Sequence, residues 1–108
     1  MAQAGFYAEC PDEDIALARL LLQPQATRPM ETPRRLTAAR FGRVPRVYIE
    51  CLRDAVIDPA LQKAMYTATP CARVISLDSD HFPFFSRPRE LSEHLAGLAS
   101  SSETTTLP

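Results

Sequence analysis

Asp54 and His81 lie 27 residues apart, and each follows closely on a short β-rich run. An aspartate that accepts a hydrogen bond from one imidazole nitrogen fixes the ring's tautomer and leaves the other nitrogen as a general base. The pair is therefore a candidate acid–base unit for activating a hydroxyl. On pattern alone the plainer reading, a loop carboxylate and a solvated turn histidine, stands beside it. No glycine-framed elbow to present a serine nucleophile is encoded. The only glycines are Gly5, Gly42 and Gly97, so no G-x-S-x-G elbow, P-loop or G-x-G-x-x-G can be formed. Other residues offer less. Asp78 and Asp80 could hold a cation but read as a polar turn, and His94 reads as exposed on a helix. Cys51 and Cys71 read as buried, inert thiols. Arg34, Arg35, Arg40, Arg43 and Arg46 form the one basic cluster and read as a solvated face, with an acidic partner as the alternative.

The elements that must position Asp54 and His81 follow from the flanking residues. Val47-Tyr48-Ile49-Glu50-Cys51-Leu52 and Arg73-Val74-Ile75-Ser76-Leu77 read as strands. Between them Asp58-Pro59 is a cap followed by a first-turn proline. It opens a helix with Leu61, Met65 and Ala68 on one face, ended by Pro70. Pro88 opens a last helix with Leu91, Leu95 and Leu98 in register. Strands joined through a helix run parallel with a right-handed crossover, which sets Asp54 and His81 on the same carboxyl-end rim, where open sheets gather ligands. Upstream, Pro11 and the acidic Asp12, Glu13 and Asp14 begin a helix carrying Ile15, Ala18, Leu21 and Leu22 on one face. Residues 23–44 contain Pro24, Pro29 and Pro33 and read as a surface connection, with a short helical turn near Leu36–Arg40. Two strands do not make a stable parallel sheet. The expectation is the end piece of a larger α/β sheet with one long open edge.

Length and composition agree with a single piece. The 108 residues carry 12 Lys+Arg and 13 Asp+Glu, for a formal net charge of -1. That balance leaves no footprint for nucleic acid or an anionic membrane, and neither is expected as a partner. The apolar runs fall far short of the ~20 residues needed to span a bilayer, and no secretory signal opens the chain. Three cysteines without a C-x-x-C pair argue against a disulfide framework or zinc site and favour the cytoplasm. No cofactor is expected.

Phe41-Gly42-Arg43-Val44-Pro45-Arg46-Val47-Tyr48-Ile49, followed by Asp54, Gln62 and Ser79-Asp80-His81, resembles the C-terminal part of α/β-hydrolases. The likeness is to the branch of plant methylesterases and hydroxynitrile lyases and their bacterial esterase-like relatives. Phe6-Tyr7-Ala8-Glu9-Cys10 through Asp14 and Leu17 resembles the end of that branch's cap domain. The resemblance implies three regions: 1–43 as the end of the cap and a connection, 44–99 as the last strand–helix–strand–helix of the core, and 100–108 as a disordered tail. It implies that Asp54 is the triad acid and His81 the base, with Asp80 a structural neighbour. Phe82, Phe6 and Tyr7 would line the substrate pocket. In the family the serine elbow and oxyanion hole lie upstream of the matched region. The chain thus reads as hydrolysing a small carboxylic ester only in an intact enzyme, and as inactive alone. It could be a truncated product, a mis-assigned start, or half of a split enzyme. The alternatives are a non-catalytic module docking an N-terminal half, or itself, through the open edge, and a hydroxynitrile lyase. Against the lyase, the residue after the base is typically lysine in those enzymes and is Phe82 here.

Overall fold

The structure is a computed structural model and describes residues 5–103. Helix α1 runs Asp12–Leu21, with its three carboxylates in the first turn and Ile15 and Ala18 buried. Pro11 stands one place before the helix rather than at its first position. Its extended backbone turns the carbonyl inward to accept from the N–H groups of Asp14 and Ile15, both at 3.1 Å. The α1 face packs with buried Tyr7 into a small core, against which Cys10, Phe82 and Phe85 rest.

The proline-rich connection is exposed, as expected, but not wholly irregular. A one-turn helix α2 spans Arg28–Glu31, where Pro29 sits in a first turn that needs no N–H from it. The helical turn expected near Leu36–Arg40 falls slightly later, as a 3₁₀ turn at Phe41–Arg43. Arg46 departs from the solvated basic face. Its guanidinium lies 4.3 Å over the Phe41 ring and donates to the carbonyls of Phe41 and Pro70, tying the connection to the sheet entrance.

Strands β1 (Val47–Cys51) and β2 (Arg73–Leu77) pair in parallel, from Val47 opposite Arg73 to Cys51 opposite Leu77. Helix α3 (Pro59–Ala68) crosses between them, with the Asp58 carboxylate accepting from Leu61 N–H at 3.0 Å. The face of α3 expected to be buried is not: Leu61 and Met65 are exposed, and the buried side chain is Gln62. The cause is the end of the β1 ladder. Leu52 N–H bonds the Leu77 carbonyl, so parallel alternation turns the N–H and C=O of Cys51 away from β2. The Gln62 carboxamide meets both, at 2.9 Å each, and donates to the Ile57 carbonyl at 2.8 Å. It stands where a neighbouring strand would stand. Gln62→Leu keeps the bulk but strands these backbone groups at about 1–3 kcal/mol each. A loss of about 3 kcal/mol in urea unfolding is expected, and a loss under 1 kcal/mol would refute this role.

After β2 come the short helix α4 (Pro83–Ser86) and the long α5 (Pro88–Glu103). On α5, Leu91 and Leu98 are half-buried and Leu95 exposed; His94, expected in solvent, is half-buried. The polar stretch from residue 100 does not fray at once. The hydroxyls of Ser100 and Ser101 bond the Ala96 and Gly97 carbonyls, and the helix continues to Glu103. Residues 104–108 of the expected tail lie outside the described residues.

Accessible surface totals 8604 Å², against about 6,000 Å² for a compact monomer of this mass. The radius of gyration is 16.4 Å, where roughly 13 Å is usual. Exposed Leu61, Met65 and Val74 contribute to that excess.

Candidate active site

Asp54 ends the turn after β1. Its Oδ1 accepts from the N–H groups of Val56 and Ile57, at 2.8 and 2.9 Å, which pins the carboxylate in one rotamer. Its Oδ2 lies 2.8 Å from Nδ1 of His81, which follows β2. The two residues thus share one rim and touch. Burial pushes the Asp54 carboxyl upward, but the bonds from His81, Ile57 and Val56 outweigh it and hold the group below the ordinary carboxylate range. An ionised carboxylate only accepts, so the proton between them belongs to Nδ1. In neutral His81 the Nε2 lone pair is then free, and Nε2 has no hydrogen-bond partner among the described residues. The Asp54 side chain is 5% exposed and that of His81 22% exposed. The acid is sealed in, and the imidazole remains reachable.

Aromatic side chains border the imidazole. Phe6 meets it edge-on at 5.3 Å and stacks on Phe82 at 5.4 Å; Phe82 is itself 5.1 Å from the imidazole. Tyr7, the third residue expected near a substrate, touches Phe82 but is turned into the core beside Ile15 and Ala18. It lines a separate hollow of about 230 Å³ with Leu21, Leu22 and Phe85.

The polar turn Asp78-Ser79-Asp80 is largely inside, since Ser79 and Asp80 are fully buried. Asp80 Oδ2 accepts from Glu9 N–H at 2.9 Å and from Cys10 Sγ at 3.4 Å. Its Oδ1 accepts from Phe82 N–H at 3.0 Å and Ser86 Oγ at 2.8 Å. Burial acts to raise its pKa, but these donors prevail and keep it low. Asp78 stays outside, paired with Arg53 at 2.8 Å; Arg53 also reaches Glu9 at 3.0 Å. Both oxygens of Asp80 are so engaged, Asp78 is paired through Oδ1 with Arg53, and no metal-holding cluster occurs among the described residues. Cys51 is buried as expected, Cys71 only half so. Burial and the neighbouring Asp80 push the Cys10 thiol up to about 12, which leaves it unreactive. Arg53 and Ser86 gave no signal in the sequence, and Glu9 and Cys10 entered only through the resemblance to a cap domain, with no role at the site. Their partners are set by packing, up to 71 residues away.

No protein-family model matches the chain. Individual proteins do. It is 40% identical over 101 residues to methylesterase 18 of Arabidopsis thaliana, covering 89% of this chain and 37% of that protein. It is 36% identical to a pyrethroid hydrolase of Sphingobium wenxiniae, covering 89% and 34%. Among solved structures, a methylesterase from Arabidopsis superposes with a TM-score of 0.78 at 32% identity, over 92% of this chain and 43% of that one. The chain therefore spans about two-fifths of the length of such relatives. Two parallel strands, the helix between them and this breadth of similarity give one answer: the chain has the fold of the C-terminal part of an α/β-hydrolase, and its sequence is similar to that part of methylesterase-like enzymes.

Proposed function

We propose that the chain supplies the acid–base half of an α/β-hydrolase that cleaves small carboxylic esters. The observation that carries this is the 2.8 Å contact between Asp54 Oδ2 and His81 Nδ1, with Nε2 left open. His81 takes the proton of an attacking serine hydroxyl and returns it to the leaving alcohol; Asp54 holds the tautomer and stabilises the imidazolium. The serine and the oxyanion donors belong to the remainder of the fold, whether on the same or a separate polypeptide, and residues 1–108 alone are inactive. Phe6 and Phe82 form an apolar border to the base, suited to the acyl or alkoxy part of an ester. Such rings do not stabilise a departing cyanide, which disfavours lyase chemistry. The test is complementation. The chain is mixed or co-expressed with a polypeptide carrying a serine elbow and the remaining strands, and hydrolysis of a p-nitrophenyl ester is followed. Turnover only in the mixture supports the proposal; a mixture in which the partner binds but no ester is cleaved refutes it.

A second reading, a docking module without catalysis of its own, is favoured by the two-stranded sheet and the large exposed surface. Unpaired strand edges associate. Sedimentation of the isolated chain is expected to show concentration-dependent oligomers that dissolve when the completing polypeptide binds. A monodisperse monomer with a sharp melt would contradict this.

A further inference from the structure

Asp80 is next in sequence to the proposed base, yet no hydrogen bond joins its carboxylate to His81 among the described residues. All four of its contacts go elsewhere, two to each oxygen. One oxygen holds the two ends of α4, through Phe82 N–H before its start and Ser86 Oγ at its last residue. The other holds the 5–10 segment through Glu9 N–H and Cys10 Sγ. That segment carries Phe6, whose ring stands against His81 and stacks on Phe82. Gly5, at its start, lies close enough to Val56 that an added Cβ would meet the Val56 methyl at 3.5 Å. The segment thus spans the rim from the Asp54 turn to the fully buried Asp80.

We propose that Asp80 is a positioning residue, whose carboxylate clamps the 5–10 segment to the sheet rim and so holds the Phe6–Phe82 pair against the imidazole. The clamp requires acceptors on both oxygens. An asparagine there must turn its NH₂ toward either Glu9 N–H or Phe82 N–H, and whichever backbone donor it faces is left unpaired. Hydroxyl and thiol partners can rotate to accept, but a backbone amide cannot. The Asp54–His81 bond is anchored separately, by Val56 and Ile57, so releasing the clamp exposes the base without dismantling it. The inference takes its catalytic meaning from the reading of His81 as the base. The clamp itself is tested without activity, so either idea can fail alone.

The experiment uses the full 108-residue chain at micromolar concentration, with two readouts. One is residue-level amide exchange. The other is the rate at which diethyl pyrocarbonate modifies His81, with His94 as the internal reference. In Asp80→Asn the amide that the asparagine NH₂ faces, Glu9 or Phe82, is expected to exchange roughly tenfold or more faster, as loss of a charge-assisted hydrogen bond implies. His81 modification should accelerate several-fold relative to His94, while Val56 and Ile57 keep their protection. Phe6→Ala should speed His81 modification and leave Glu9 exchange unchanged. Cys10→Ser replaces a weak S–H donor by a stronger O–H donor and should slow both readouts. It is the decisive variant if Asp80→Asn does not fold. Unchanged exchange at both Glu9 and Phe82 in Asp80→Asn overturns the proposal. So does simultaneous loss of protection at Val56 and Ile57, which would make Asp80 a general support of the fold. An unshifted or faster Glu9 amide in Cys10→Ser, or an unshifted His81 rate in Phe6→Ala, does the same.

Discussion

In the complemented enzyme, His81→Ala is expected to abolish ester turnover, lowering kcat by about 10⁴–10⁶-fold. The size follows from what the imidazole does. Without a base, the attacking hydroxyl must lose its proton to water, and without a general acid the alkoxide leaves unprotonated. Substrate binding uses other groups, so KM should change little, and partner binding should not change at all. The assay therefore compares wild type and variant at equal occupancy of the partner, by kcat at saturating p-nitrophenyl ester. Addition of imidazole should return a small part of the rate to the alanine variant. The 108-residue chain without its partner should do no better than free imidazole. A fluorophosphonate adduct on the isolated chain would reveal a nucleophile within it, and the division of labour proposed here would fall. Equal turnover in wild type and His81→Ala would leave Asp54–His81 as a structural pair.

The contact between Asp54 and His81 was legible in the sequence through the elements around it. Val47–Cys51 and Arg73–Leu77 are β-rich runs separated by an Asp-Pro helix start, and only a parallel pairing accommodates that order. The 27-residue spacing then brings Asp54 to His81 almost without further information. What was not legible depends on partners distant in the chain. Asp-Ser-Asp after a strand reads as a polar turn on pattern, and only the resemblance makes Asp80 structural; its partners Glu9 and Cys10 come to it from the other end of the sequence. Gln62 enters only through the resemblance, and helical periodicity gives no reason for its burial; it is inside because its carboxamide pairs the N–H and C=O of Cys51. Leu61 and Met65 have correct helical periodicity and no surface among the described residues that buries them. Periodicity reports which face is apolar, not whether its partner is present. Arg28–Glu31 forms a helical turn inside a proline-rich stretch because Pro29 occupies a position where it costs nothing.

Asp54→Asn is expected to cost about 10⁴-fold in kcat, through the tautomer of His81 rather than through any loss of packing. The geometry dictates how the amide must sit. Both Val56 N–H and Ile57 N–H point at Oδ1, so the asparagine carbonyl oxygen takes that place and its NH₂ turns toward His81 Nδ1. A donor facing Nδ1 forces the neutral ring to offer a lone pair there and to carry its proton on Nε2. The atom needed as base is then already protonated. Nitrogen-15 shifts of the His81 ring in the isolated chain provide the check: protonated Nδ1 in wild type, protonated Nε2 in the variant. Stability supplies a second readout with a definite sign. The Asp54 carboxyl is held below its ordinary value of 3.8, so its contribution is complete above the unfolded-state pKa and is lost as pH falls through the lower folded-state pKa. Asp80, depressed likewise, adds in the same direction. Wild-type stability should therefore drop as pH is taken below the ordinary carboxylate range. Asp54→Asn should show a shallower drop, since one of the two linked protons is gone, and Asp80 accounts for what remains. If the variant keeps Nδ1 protonated and retains most of its turnover, then Asp54 does not set the tautomer, and the carboxylate would be reduced to closing the turn after β1.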